Sequence, residues 1–278
     1  MAVQIPLDEA SIAGTEGDDG LWTLTPDLAF QRHTLVNVVY LGTAANWVLI
    51  DTGIKGSAKA IRAACAQRFG EGSPPAYILM THGHFDHVGA LVELADEWDV
   101  PVYAHPLEHP YLNGTESYPS PEPWVGGGIM PLLSPLFPTS PVDVGPRLRD
   151  LPADGSVPGF PEWRWLHTPG HTRGHVSLWR ESDRAVIAGD AFVTTGQESA
   201  YEVAMQTPEM HGPPRYFTPD WVAARRSVEA LAALQPQLVV TGHGRAMAGA
   251  QMLAALEDLA RRFDAIALPP SHRASSSD

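Results

Sequence analysis

Thr81 to Ala90 reads THGHFDHVGA, placing three histidines and an aspartate within residues 82–87. Imidazole nitrogen and carboxylate oxygen are ligand types that zinc and iron accept, and the spacing His82, His84, Asp86, His87 cannot lie on one helical face. The stretch therefore reads as a loop. Before it, Ala76 to Met80 (AYILM) is a short apolar block of the kind a strand covered on both faces shows; after it, VGALVELADEW has helical periodicity. The cluster is thus expected at the carboxyl end of a strand, where α/β proteins build their sites.

Working outward, the 278 residues suffice for a large core, and an apolar fraction of 44% with eight tryptophans indicates a globular chain. No window approaches the roughly 18 uncharged apolar residues of a membrane helix. The N-terminus MAVQIPLDEASIAGTEGDDG is acidic where a signal peptide is basic, so a cytoplasmic location without membrane attachment is expected. Cys65 is the single cysteine and sits in the helical pattern GSAKAIRAACAQRFG, which excludes an intrachain disulfide and suggests a packed thiol. A formal charge of -14, with Lys55 and Lys59 the only lysines, would repel a polyanion, so nucleic acid is not an expected partner.

Two halves of the sequence echo each other. VNVVYLGTAANWVLIDTG reads as strand, turn and strand ending at Asp51, followed by a helix and YILMTHGH. GHVSLWRESDRAVIAGD repeats the plan, ending at Asp190, followed by a helix over Trp221–Leu234 and then QLVVTGHG. This predicts a duplicated β-rich unit whose copies both deliver ligands to one edge, within a single domain of residues 1–265. Residues 106–146 and 192–219, rich in proline, glycine and aromatics, are expected as irregular insertions near the site. Trp124, Phe192, Met205 and Tyr216 within them are candidate walls of a substrate pocket. Residues 266–278 are expected to be a disordered tail.

Further histidines stand in HTPGHTRGH, at 167, 171 and 175, and in TGHG, at 243, while Asp190 closes the apolar run AVIAG. A His-x-His-x-Asp-His cluster followed in order by TPGHT, AGD and TGHG resembles the metallo-β-lactamase superfamily, over residues from about Asn37 to His243. The resemblance implies an α/β fold, a four-layer αββα sandwich of two similar halves, with a dinuclear metal site at one edge. It implies His82, His84 and His171 on one metal, Asp86, His87 and His243 on the other, and Asp190 bridging both. Two zinc ions are expected, with iron or manganese as alternatives. Asp86 would also orient the attacking water and take its proton. Asp51 and His175 would steady the ligands by hydrogen bonds.

The superfamily's chemistry is broad, and fold alone does not choose within it. Flavodiiron proteins usually carry glutamate where this chain has His84, and zinc β-lactamases generally lack the aspartate that Asp190 supplies. Acyl-homoserine lactonases often place tyrosine just after that aspartate, whereas this chain reads GDAFVTT. An aromatic, proline-rich wall with few cations suits a small, neutral, fairly apolar ester, lactone or phosphotriester better than a charged metabolite. Phosphotriester, thioester and β-lactam hydrolysis are alternatives on the same site. A further alternative is a persulfide dioxygenase in which His82, His171 and Asp190 hold one iron, a site that does not need His243. The apolar loops equally suit a second copy of the chain, leaving a homodimer open.

Overall fold

Strands that alternate inward and outward yet stay apolar on both faces shape the first half of the chain. The computed structural model of the protein describes residues 5–17, 20–126 and 128–273; residues 1–4 of the expected domain and 274–278 of the expected tail lie outside them. The chain divides into two units, one comprising Gly14–Tyr118 and Pro138–Pro161, the other the remainder. The irregular segment 106–146 is shared between them.

The first unit is built on an eight-stranded sheet. Its strands are antiparallel from Thr15–Glu16 through Asn46–Ile50, then parallel through Ile78–Leu79, Val102–Ala104 and Leu148–Asp150. Val38, Tyr40, Trp47 and Leu49 lie in one core with the inward residues of helices Ala58–Phe69 and Leu91–Trp98. Trp47 stacks on Phe69 at 4.2 Å and meets Trp98 edge-on at 6.3 Å. Val39, Leu41, Val48 and Ile50, pointing the other way, are buried as well, which explains the continuous apolar runs in these strands. Cys65 belongs to the helix face in this core, and burial pushes its thiol up to about 12, as an inert packed residue.

The second unit carries a sheet whose inner strands repeat that plan. Val176–Arg180 and Ala185–Gly189 form an antiparallel pair, and Ala185–Gly189 then runs parallel to Leu238–Thr241 after the crossover helix Trp221–Ala233. Asp220 caps that helix, accepting from Ala223 N–H at 2.9 Å. Its inward residues pack with helix Gly249–Arg261 and with Val186, Ala188 and Val239 into one core. The register between the parallel strands slips between Ile187 and Gly189, and Gly189 has φ +53°, so the chain turns immediately before Asp190.

Two sequence expectations need correction. The expected tail is ordered at its start: Ile266, Ala267 and Leu268 are buried, and Pro270–Arg273 forms a short helix whose Arg273 guanidinium donates to Leu268 O at 2.9 Å. The last long helix, Gly249–Arg261, breaks at Arg262, and Phe263–Ile266 follows as a separate turn with Phe263 in the core. The irregular segments contain helical turns, Pro106–Glu108, His109–Leu112, Ile129–Leu133 and Ala200–Met205. Prolines at the first positions of the 106–108 and 109–112 turns mark starts rather than breaks, because a first-turn N–H needs no helical partner.

Candidate metal centre

Strand pairing brings Asp51 beside the histidine loop. Asp51 N–H donates to Leu79 O at 3.0 Å, which sets the carboxylate against the start of the next loop. That carboxylate accepts from Thr81 N–H at 2.8 Å, Thr81 O–H at 2.7 Å and His87 Nδ1 at 2.8 Å. Because the Thr81 hydroxyl is spent as donor to Asp51, it can only accept from His82 Nδ1, 3.0 Å away. Both rings are thereby protonated at Nδ1, leaving the lone pair on Nε2, the tautomer a metal ligand requires. Backbone ties complete the loop: Thr52 N–H and O–H both reach His87 O at 2.7 Å, and Gly89 N–H reaches Gly53 O at 2.7 Å.

Two buried residues that sequence reasoning missed brace the same loop. Glu108 Oε2 accepts from Gly83 N–H at 3.0 Å and from the Tyr118 hydroxyl, and the phenol oxygen itself lies 2.8 Å from Gly83 N. The Tyr118 ring stands 4.4 Å from that of His84. Both lie in the proline-rich segment 106–146, where no motif singles them out and Glu108 is one of several acidic residues, with Glu116, Glu122 and Asp143.

In the second unit, Asp190 Oδ2 lies 3.4 Å from His171 Nε2 and 3.1 Å from His243 Nε2, all three residues being buried. Thr218 O–H donates to Pro214 O at 2.8 Å, so it accepts from His171 Nδ1 at 3.1 Å and again directs Nε2 inward. His175 Nε2 accepts from Asp190 N–H at 2.9 Å while its Nδ1 faces Thr168 Oγ1 at 2.9 Å; it orients the Asp190 backbone as a neutral imidazole. Thr241 O–H donates to His243 O at 2.6 Å, and Thr194 N–H reaches the same oxygen at 3.1 Å. His167 is exposed and bonds Arg173 O at 2.8 Å.

Three sets of buried side chains have candidate donor atoms within 4.8 Å of one another: His82, His84 and His171; His82, His87 and Asp190; Asp86, His87 and His243. The first and third are the trios that the sequence motifs assign to the two metals, and the second joins a member of each to Asp190. Five buried imidazoles and two buried carboxylates brought this close call for compensating positive charge, and this donor chemistry fits a dinuclear metal site.

The candidate pocket residues are scattered. Trp124 is 78% exposed and Met205 57% exposed, whereas Tyr216 is buried. Phe192 is buried in the second core. Residues 192–219 also hold a buried ion pair, His211 Nε2 to Glu198 Oε2 at 2.9 Å. Burial opposes the charge on Glu198, but His211 and Arg215 hold its carboxyl at about 2. Burial opposes charge on His211 too, and Glu198 nonetheless raises it above the usual imidazole value. At Glu209, burial wins and pushes the carboxyl up to about 7.

Comparison with known proteins bears on this geometry. The model of the metallo-beta-lactamase superfamily matches residues 32–243. The chain is 44% identical over 257 residues to "Probable metallo-hydrolase YflN" of Bacillus subtilis (strain 168), covering 91% of this chain and 95% of that protein. Among solved structures it resembles TTHA1623 in a di-iron-bound form, at 27% identity and TM-score 0.52 over 81% of this chain and 95% of that one. It also shares its fold with the MIM-2 metallo-beta-lactamase, at 20% identity and TM-score 0.61 over 97% and 96% of the two chains.

Proposed function

Because this chain belongs to the metallo-beta-lactamase superfamily, with that family's α/β sandwich fold, we propose that it is a dinuclear metallo-hydrolase that opens a small, neutral, fairly apolar carboxylic ester, foremost a lactone. The hydrolase class agrees with the description of its Bacillus relative. The observation that carries the reading is the overlap of the three His and Asp groups, in which Asp190 joins a member of each trio.

Two divalent cations held by these groups would polarise a carbonyl and bring a water's pKa toward neutrality. Asp86, buried within the histidine loop, is the carboxylate that takes the proton as water adds to the ester carbonyl, and returns it to the leaving alkoxide, which in a lactone stays attached to the product. Asp51, Thr81, Thr218 and His175 keep the imidazoles and Asp190 in one orientation throughout. Zinc is the expected metal, and the di-iron form of TTHA1623 makes an iron pair the first alternative. The membership of His243 in a separate group favours two metals over the one-iron dioxygenase site.

Metal analysis together with a panel of lactones, esters, thioesters, phosphotriesters and a β-lactam tests this reading. Two metals per chain and fastest turnover of lactones are expected. Asp86→Asn should retain a folded chain and lower kcat by about a hundredfold or more. One iron per chain, with oxygen uptake on a thiol persulfide, would replace the hydrolase by the dioxygenase; lactones no faster than the other classes would refute the substrate.

A further inference from the structure

Metal binding and proton transfer leave one buried ionisable pair beside the ligand loop unused. Glu108 is 0% exposed, where carboxylates seldom sit. Its Oε2 accepts from Gly83 N–H at 3.0 Å and from Tyr118 O–H, and the phenol oxygen stands 2.8 Å from the same amide. Gly83 is the residue between two candidate ligands, His82 and His84, and a Cβ there would lie 2.9 Å from the phenol oxygen. Tyr118 in turn sets its ring 4.4 Å from the imidazole of His84, and is itself stacked on Tyr111 at 3.8 Å. One carboxylate and one phenol thus fix the backbone of the His-Gly-His turn from below and one face of the His84 ring from the side.

We infer that Glu108 and Tyr118 are positioning residues for the metal centre: they hold the Gly83 amide and the His84 ring in the binding orientation, so that residues 106–118 set metal affinity as well as bordering the fold. The inference rests on the reading that the histidine cluster binds metal. A purely structural brace predicts something different: loss of stability with unchanged metal affinity.

The test uses the full chain stripped of metal and titrated with Co(II), comparing wild type, Tyr118→Phe, Glu108→Gln and the double variant. Dissociation constants come from competition with a chelator, the ligand-field absorption of bound Co(II) reports geometry, and the melting temperature of each apo-protein reports folding. Each single variant should weaken Co(II) binding by about ten- to a hundredfold and shift the ligand-field bands. The double variant should lose little more than the worse single one, because both residues act through one hydrogen-bonded unit. Should Glu108→Gln not fold, Tyr118→Phe decides, since it deletes one hydroxyl and keeps the ring. Affinities within twofold of wild type and unchanged spectra in folded variants would overturn the inference and leave the hydrolase reading standing. A wild-type chain that binds no Co(II) would overturn both.

Discussion

At the scale of single residues, Asp51 shows how one carboxylate fixes the chemistry of two imidazoles. It acts on His87 directly and on His82 through the Thr81 hydroxyl, and both bonds place the proton on Nδ1. Asp51→Asn replaces an acceptor-only group by one that also donates, so the Thr81 relay and the His87 bond cannot both be kept. Metal affinity should fall by about ten- to a hundredfold with the fold retained, as measured by chelator competition; an unchanged affinity would reduce Asp51 to an ordinary strand-end residue. The ligands themselves were legible in the sequence because metal-binding side chains recur in short motifs in a fixed order. Thr81 and Thr218 were not, since a threonine becomes a relay only through what folding sets beside it. Glu209 offers a second prediction. Its carboxyl titrates at about 7 in the fold, against an ordinary value of 4.5, because burial, and secondarily Glu202 and Glu198, outweigh the attraction of His211 and Arg215. A raised folded value means that its contribution is fully present below pH 4.5 and is lost as pH rises through about 7. Glu209→Gln should therefore flatten the fall in melting temperature across that window, and an identical fall in the variant would assign the pH dependence to other groups.

At the scale of elements, both halves use an antiparallel hairpin, a turn at an aspartate, a crossover helix and a parallel strand that ends at a histidine. Hydrophobic periodicity made these pieces readable, since strands Asn46–Ile50 and Ala185–Gly189 and helices Ala58–Phe69 and Trp221–Ala233 follow their apolar patterns closely. The short turns in residues 106–146 were not readable, because one turn of helix carries no periodicity and its prolines argue locally against it. Glu108 and Tyr118 were hidden for the same reason. Between elements, the histidine loop lies so close to residues 53–55 that a Cβ on Gly89 would fall 2.1 Å from the Ile54 carbonyl carbon and 2.2 Å from Lys55 N. Neither neighbour is a flexible side chain, so backbone must move. Gly89→Ala should destabilise the chain by about 1–3 kcal/mol or more and weaken metal binding together with it, seen as a lower urea midpoint and a lower affinity. An unchanged midpoint would mean that the loop yields without cost.

At the scale of the whole molecule, the formal charge of -14 includes two buried carboxylates of the candidate site, Asp86 and Asp190, which lie among five histidines. The general field favours cations, and among the described residues no helix is long and apolar enough to cross a membrane. The duplicated plan was visible because strand endings on Asp51 and Asp190 repeat in sequence. The division into two units was not, since residues 119–137 and 138–161 join different units without any change of composition to mark the switch. Metal removal tests the molecule as one system. A ligand that binds only the folded chain adds RT ln(1 + [L]/Kd) to stability, about 2.7 kcal/mol when free metal is a hundred times Kd. For a chain of this size that corresponds to a shift of roughly 5–10 °C in melting temperature. Chelation should lower Tm by that amount, and stepwise return of zinc should restore it along the logarithm of free metal. Asp190→Asn should flatten the dependence, because it removes the one carboxylate grouped with His82 and His87. A melting temperature indifferent to zinc in the wild-type chain would mean that the His and Asp cluster holds no metal in the folded state, and the dinuclear reading would fall.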